Sequence, residues 1–221
     1  MVLNLPNMLT LLRLLAAPGI VVAVLALPRP FADWVAVVLF LGASLTDYID
    51  GLLARAWKQE TKLGAMLDPI ADKAIVLSAL LALAAIWQPV FLILLPATLI
   101  VFREVFVSGL REYLGDTAGT LKVTQLAKWK TTIQMVAITV LLAKGIVELW
   151  RIERIVGMDD QIFFNITTGA EEDVLGIRWR EEALDWLRYG GVALLWAAAL
   201  LTVATGYDYF RKALPHLQGA K

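Results

Sequence analysis

Residues 47–72 read D-Y-I-D-G-L-L-A-R-A-W-K-Q-E-T-K-L-G-A-M-L-D-P-I-A-D and contain two pairs of aspartates, Asp47 with Asp50 and Asp68 with Asp72. The members of each pair are three or four residues apart, so each pair lies on one face of a helix. The stretch lies within and between strongly apolar segments. An ionised side chain at the centre of a membrane helix costs about 2.5–3.5 kcal/mol on insertion scales. Four such side chains therefore indicate a functional site rather than packing.

The composition of the whole chain indicates a membrane protein. Its 221 residues are 59% hydrophobic and the mean hydropathy is +0.70. Soluble domains are usually about 45–50% apolar, and the excess cannot all be buried in one core of this length. The formal net charge of zero gives no support for nucleic-acid binding. Because the chain has no cysteine, disulfides and thiolate metal ligands are excluded.

Six apolar segments predict an all-α integral membrane protein with six transmembrane helices, since each is near the roughly 20 residues that a spanning helix needs. They lie at 7–27, 31–54, 65–87, 90–112, 128–149 and 184–210. Pro28 and Pro30 separate the first two segments, and Pro89 separates the third from the fourth. Proline is tolerated at a helix start but not in a helix interior. We find no internal repeat, so residues 1–221 are expected to form a single domain.

The distribution of basic residues predicts the orientation of these helices. With six spans, one side of the membrane holds both termini, and its segments 55–62, 111–130 and 208–221 contain ten basic and four acidic residues. The segment 148–185 on the opposite side contains four arginines and ten acidic residues. By the positive-inside rule, both termini are expected in the cytoplasm. We assign no role to the acidic outer segment.

The two aspartate pairs are expected to meet at one depth. At a rise of 1.5 Å per residue from outer helix ends near Asp33 and Trp87, Asp47 lies about 21 Å and Asp72 about 22 Å along its helix. This depth is just inside the cytoplasmic edge of a hydrocarbon core about 30 Å thick, at the level of lipid phosphates. Crowded carboxylates repel one another unless cations lie between them, and oxygen ligands select Mg²⁺, Mn²⁺ or Ca²⁺. Two such ions could hold a pyrophosphate and stabilise a leaving phosphate.

The spacing within 47–72 resembles the signature of the CDP-alcohol phosphatidyltransferases, D-x2-D-G-x2-A-R-x8-G-x3-D-x3-D, with every fixed position present. The run N-L-P-N-M-L-T at 4–10 is similar to the N-terminal element of that family. The phrases at 67–73, 103–112 and 128–135 look like the branch that makes phosphatidylglycerophosphate. The resemblance covers most of the chain.

This resemblance implies a six-helix CDP-alcohol phosphotransferase fold, usually a homodimer, in the inner membrane with its site facing the cytoplasm. It implies transfer of a phosphatidyl group from CDP-diacylglycerol to the 1-hydroxyl of sn-glycerol 3-phosphate, with two divalent cations, Mg²⁺ or Mn²⁺. The implied metal ligands are Asp47, Asp50, Asp68 and Asp72, of which Asp72 is also the implied general base. The residues implied to line the CDP-lipid pocket are Asn7, Thr10, Gly51, Ala54, Arg55, Thr61 and Gly64.

The phosphate of the acceptor requires cations, and four basic residues are candidates. Arg103 and Arg111 lie toward the cytoplasmic end of the fourth helix, and Lys128 and Lys130 open the fifth. Such a cluster favours a phosphorylated acceptor over serine or choline. The choice of glycerol 3-phosphate over inositol phosphate rests on the resemblance alone. An ion transporter is the alternative from another class, but it predicts carboxylates near the midplane and repeated halves with broken helices.

Several of these residues also have purely structural explanations. Asn7 and Thr10 are typical capping residues at a helix start, and Gly51 with Ala54 is typical of a small-residue packing seam. Basic residues at cytoplasmic helix ends also act as interfacial anchors. This second explanation applies to Arg111, Lys128 and Lys130.

Three charged residues are given no part in the site. Arg13 is interpreted as an anchor at the inner leaflet. Arg29 and Asp33 are expected to be solvated on the outer face of the membrane.

Overall fold

The computed structural model describes residues 4–57, 61–115, 119 and 125–218, without the side chains of 48, 50–57, 125, 127, 128 and 218. These residues form helices and short connections, with no strand in the described part of the chain. The helices are α1 (Leu5–Ala26), α2 (Phe31–Trp57), α3 (Lys62–Ile86), α4 (Phe91–Leu114), α5 (Gln125–Ile155), α6 (Asp160–Thr168), α7 (Ile177–Asp185) and α8 (Gly191–Gln218). A π-helical turn, Trp186–Gly190, joins α7 to α8.

Five stretches of the described chain are long and apolar enough to cross a membrane. They are Leu5–Ala26, Lys62–Ile86, Phe91–Leu114, Trp129–Ile155 and Ile177–Leu217. The predicted all-helical membrane architecture is therefore confirmed by length and composition. Helix α2, between the first two of these stretches, has 27 residues, and at 1.5 Å per residue it is about 40 Å long.

The starts of α1 and α3 are capped by side chains. Asn4 caps α1, because its Oδ1 accepts a hydrogen bond from the backbone N–H of Asn7 at 3.1 Å. Thr61 caps α3, because its Oγ1 accepts from the backbone N–H of Gly64 at 3.0 Å. Each cap satisfies an N–H that has no carbonyl partner within its helix. Asn7 therefore lies inside α1 and does not cap it.

The helices pack in two groups that share α3. Helix α1 packs against α2 and α3, α8 packs against α4 and α5, and α3 also contacts α4 and α5. The core between them includes side chains that are no more than 1% exposed, among them Ile20, Phe40, Leu83, Ile100, Leu141 and Leu195. Large apolar side chains on the outside, such as Leu15 and Phe102, are 71% and 68% exposed. An apolar exterior of this extent is typical of a surface that faces lipid.

Much of the acidic segment 148–185 is helical rather than a loop. It contains the end of α5, which runs to Ile155 rather than 149, and the two short helices α6 and α7. These two helices have only nine residues each, so hydropathy over a window of spanning length does not detect them.

The prediction for Asp33 was wrong, because this residue is buried. Its side chain is 3% exposed, and Oδ1 lies 3.5 Å from Nη1 of Arg29. It fits against Gly145 of α5, where a Cβ atom would collide with its carboxylate. Asp33 therefore lies at the contact between α2 and α5, with Arg29 as the counter-charge, instead of in solvent.

Candidate active site

Three carboxylates meet around one arginine where α1, α2 and α3 pack together. Asp47 of α2 and Asp72 of α3 both accept hydrogen bonds from Nη1 of Arg13. Nη2 of Arg13 lies 3.8 Å from Oδ1 of Asp68. Arg13 is 1% exposed, whereas the three carboxylates are 46–51% exposed. The guanidinium therefore holds the cluster from its buried side.

Arg13 is the main residue of this site that the sequence interpretation missed. An anchor at the inner leaflet would extend toward water or lipid headgroups, but this side chain is buried among carboxylates. The reason is electrostatic, since a buried cation needs opposite charges nearby. The position of Arg13 inside an apolar segment, one turn after Thr10, was the sequence feature that could have indicated its place in the site.

The predicted CDP-lipid residues that are described lie beside this cluster. The hydroxyl of Thr10 donates a hydrogen bond to Oδ1 of Asp68 at 2.8 Å. The hydroxyl of Thr61 donates to Oδ1 of Asn7 at 2.9 Å. Gly64 faces the same amide so closely that a Cβ atom there would lie 2.8 Å from Oδ1 of Asn7. These contacts join the start of α1 to the start of α3.

The remaining predictions on α2 and α5 fall outside the described side chains. This applies to Asp50, Gly51, Ala54, Arg55 and Lys128. Their backbone is helical, and the roles expected for them stay predictions.

A cavity of about 500 Å³ lies next to the aspartate cluster, between α3, α4, α5 and α8. The basic side chains that line it are Lys73, Arg103, Arg111 and Lys130. Three of these were predicted for the acceptor phosphate, and Lys73 was missed although it directly follows the signature. Asp72 also lines the cavity. One carboxylate therefore belongs to both the aspartate cluster and the cationic cavity.

Glu104 pairs with two of the basic side chains that line this cavity. Its Oε1 accepts hydrogen bonds from Nη1 of Arg103 at 3.0 Å and from Nζ of Lys130. Two like charges so close together would otherwise repel each other. Lys130 is 5% exposed, which is far more buried than an interfacial anchor needs to be. Sequence reasoning missed Glu104, although it directly follows Arg103.

The arginines of α4 contact α8. The guanidinium of Arg111 lies over the ring of Tyr209, 5.6 Å from its centroid, which is within the range of a cation–π interaction. A Cβ atom at Gly206 would lie 2.8 Å from Cγ of Arg103. The absence of a side chain at 206 therefore allows Arg103 to pass along α8 into the cavity.

The donor set of the cluster fits a hard divalent cation. Carboxylate oxygens are the ligands that Mg²⁺ and Mn²⁺ prefer. Asp47 and Asp72 contact the same nitrogen atom, so their carboxylates are close enough to share an ion, and about half of each side chain is exposed. Among the side chains that are described, no group of three acidic or histidine residues is arranged so that it could hold an ion; the side chain of Asp50 is outside that set.

A membrane helical bundle with clustered aspartates beside a cationic cavity is suited to chemistry on phosphate groups of lipids. The chain belongs to the CDP-alcohol phosphatidyltransferase family, whose model matches residues 3–165. The match covers α1 to α5 and most of α6.

Individual relatives are similar along nearly the whole chain. The chain is 53% identical over 222 residues to the CDP-diacylglycerol–glycerol-3-phosphate 3-phosphatidyltransferase of Cereibacter sphaeroides, covering 99% of both proteins. It is 33% identical over 212 residues to the protein of the same name from Salmonella typhimurium and 32% identical to that of Escherichia coli K12, in each case covering 95% of this chain and 94% of the relative.

Proposed function

We propose that this chain transfers the phosphatidyl group of CDP-diacylglycerol to the 1-hydroxyl of sn-glycerol 3-phosphate, giving phosphatidylglycerophosphate and CMP. The names of relatives at up to 53% identity over the full chain support this activity. The structural observation that carries it is the position of Asp72, which contacts Arg13 in the aspartate cluster and also lines the cationic cavity. This position would make the proposed donor and acceptor sites adjacent at one carboxylate.

In the proposed reaction, Asp72 acts as the general base. The 1-hydroxyl of the acceptor attacks the lipid-side phosphorus, its proton passes to the Asp72 carboxylate, and the phosphorus–oxygen bond to CMP breaks. A base must lie within hydrogen-bond reach of the proton that it removes. The Asp72 carboxylate is 51% exposed and lines the cavity, so an acceptor hydroxyl bound there could approach it.

The aspartates would hold two divalent cations, Mg²⁺ or Mn²⁺. When bound, such ions neutralise a pyrophosphate and stabilise a leaving phosphate. The proposed ligands are Asp47, Asp50, Asp68 and Asp72. The protein's own contribution is to keep these carboxylates together, with Thr10 orienting Asp68 through the hydrogen bond at 2.8 Å.

The CDP part of the donor is proposed to bind between the start of α1 and the start of α3, next to α2. Gly64 packs against the side chain of Asn7 so closely that a Cβ atom at position 64 would force the amide of Asn7 to shift, so the two helix starts are held together at this side of the proposed pocket. The full set proposed for the pocket is Asn7, Thr10, Gly51, Ala54, Arg55, Thr61 and Gly64.

The acceptor phosphate is proposed to bind in the cationic cavity. Arg103 and Arg111 can offer paired N–H donors to a phosphate, and Lys130 adds a point charge from α5. Lys128 is a further candidate, on the same helix. Inositol phosphate would use the same cations, and the names of the relatives favour glycerol 3-phosphate.

The proposed membrane arrangement has six spans, with α2 as the second. Both termini and the site then face the cytoplasm, and the enzyme lies in the inner membrane as a homodimer of single-domain chains covering residues 1–221. The charge asymmetry supports this arrangement, since the inner segments hold ten basic and four acidic residues while 148–185 holds four and ten.

The first test is release of CMP from CDP-diacylglycerol by the purified protein in detergent. We expect release that requires both glycerol 3-phosphate and Mg²⁺ or Mn²⁺, and that stops when EDTA removes the metal. The lipid product is identified by mass spectrometry. Release that proceeds equally well without glycerol 3-phosphate, or with inositol phosphate in its place, would contradict the proposed acceptor. Full activity in EDTA would contradict the proposed metal ions.

A second prediction concerns the close approach of α8 to Arg103. Changing Gly206 to alanine places a methyl group 2.8 Å from Cγ of Arg103, so the arginine must move within the cavity. We expect the KM for glycerol 3-phosphate to rise about 10- to 100-fold, as small displacements of a binding group can cost this much. Initial rates at varied acceptor concentration measure it.

The matched control for that variant is Gly109→Ala on α4, where a Cβ atom would meet nothing within 4 Å. It should leave the KM for glycerol 3-phosphate unchanged. If G206A behaves like G109A, Arg103 does not bind the acceptor in the position described.

A further inference from the structure

We infer that Arg13 is a positioning residue that holds the aspartates from their buried side and thereby sets how tightly the site binds divalent cations. The inference rests on the proposed metal-dependent transfer. It goes beyond it because Arg13 lies outside the aspartate signature and touches carboxylates rather than substrate.

The geometry separates two sides of the cluster. Arg13 is 1% exposed and contacts Asp47 and Asp72 through Nη1, with Asp68 at 3.8 Å from Nη2. The same carboxylates are 46–51% exposed. The guanidinium therefore occupies the interior side, and the accessible oxygen surface lies on the side open to an ion.

Arginine suits this task better than other cations. Its guanidinium is planar, always charged and offers five N–H donors in a fixed arrangement, so one side chain can hold carboxylates from two helices. Helix α1 supplies it at a point where α1 packs against both α2 and α3. The charge does not vary with pH in any range the protein meets, so the support that it gives is permanent.

Two effects of Arg13 on metal affinity oppose each other. Its positive charge repels a divalent cation, but its hydrogen bonds keep mutually repelling carboxylates in one place. Removing a group that orients metal ligands through hydrogen bonds typically weakens metal binding about 10- to 100-fold. Because the ion approaches from the exposed side while Arg13 lies behind the carboxylates, we expect the loss of orientation to be the larger effect.

The test is direct Mn²⁺ binding to the purified protein in detergent, without substrate, followed by the electron paramagnetic resonance signal of free Mn²⁺. We expect Arg13→Gln to weaken binding about 10- to 100-fold. Arg13→Lys keeps the charge but not the planar arrangement of donors, so we expect a smaller but measurable weakening. Arg151→Gln, which breaks an ion pair with Glu181 away from the site, should bind Mn²⁺ like the unmodified protein.

Unchanged or tighter Mn²⁺ binding by R13Q would overturn the inference, since Arg13 would then only compete with the ion. If R13Q does not fold, R13K decides, and binding equal to that of the unmodified protein overturns the inference. Failure of the unmodified protein to bind Mn²⁺ would overturn both the metal assignment and this inference. CMP release that depends on glycerol 3-phosphate would still stand as a separate result.

Discussion

Replacing Asp72 by asparagine is expected to lower kcat for CMP release by about 10²–10⁴-fold, the range usual for loss of a general base. Asparagine has nearly the same shape but cannot take up a proton from the acceptor hydroxyl. Binding of CDP-diacylglycerol should change little, because Asp47 still pairs with Arg13 and Thr10 still contacts Asp68. Single-turnover rates and binding to a labelled CDP-lipid measure the two quantities separately.

The control for D72N is Asp160→Asn in the first turn of α6, which also neutralises one carboxylate but lies outside the site. Its turnover should equal that of the unmodified protein. Normal activity of D72N would exclude Asp72 as the base. Loss of CDP-lipid binding together with turnover would instead indicate that Asp72 acts mainly by maintaining the donor site.

Replacing Lys130 by methionine should have the largest effect on the acceptor. Hydrogen bonds to charged groups contribute about 1.5–3 kcal/mol, and about 1.4 kcal/mol corresponds to tenfold, so one lost contact to the phosphate predicts a fall in kcat/KM for glycerol 3-phosphate of roughly 10- to 150-fold. The KM for CDP-diacylglycerol should stay the same. Steady-state kinetics with each substrate varied in turn measure both.

Lys144→Met provides the matched control on the same helix. Lys144 pairs with Glu148 at 2.8 Å and is 14 residues from Lys130, or about 21 Å along α5. Kinetics of K144M should be unchanged. If K130M is equally silent, Lys130 does not bind the acceptor and serves only as the counter-charge of Glu104.

The helical framework could largely be predicted from sequence, because hydropathy over about 20 residues reports directly on lipid contact. Pro89 separates α3, which ends at Ile86, from α4, which begins at Phe91. Trp196 lies within α8 and contacts a neighbouring helix. Its indole N–H donates to the backbone carbonyl of Leu92 at 3.1 Å, a contact between α8 and α4 that sequence spacing does not encode.

The sequence predicted most members of the candidate site but not the ion pairs between distant segments that hold it together. Helical spacing grouped the aspartates, but it contained no information on which cation would lie between them. Arg13 and Asp72 are 59 residues apart, and Glu104 and Lys130 are 26 apart, so their pairing depends on how helices pack. Arg13 was interpreted as a membrane anchor and Glu104 was not considered, although each of them holds one of the two clusters together.

Because α3 belongs to both groups of helices, the sites proposed for the two substrates lie in different halves of the bundle. Residues proposed for the nucleotide and the metal ions come from α1 to α3, whereas most of the cavity for the alcohol comes from α4, α5 and α8. The two regions meet at Asp72, which contacts Arg13 and also lines the cavity. Changes in α4, α5 and α8 could thus alter which alcohol is accepted without changing the residues proposed for the CDP-activated donor. Exchanging these three helices is therefore a rational route to lipids with engineered headgroups.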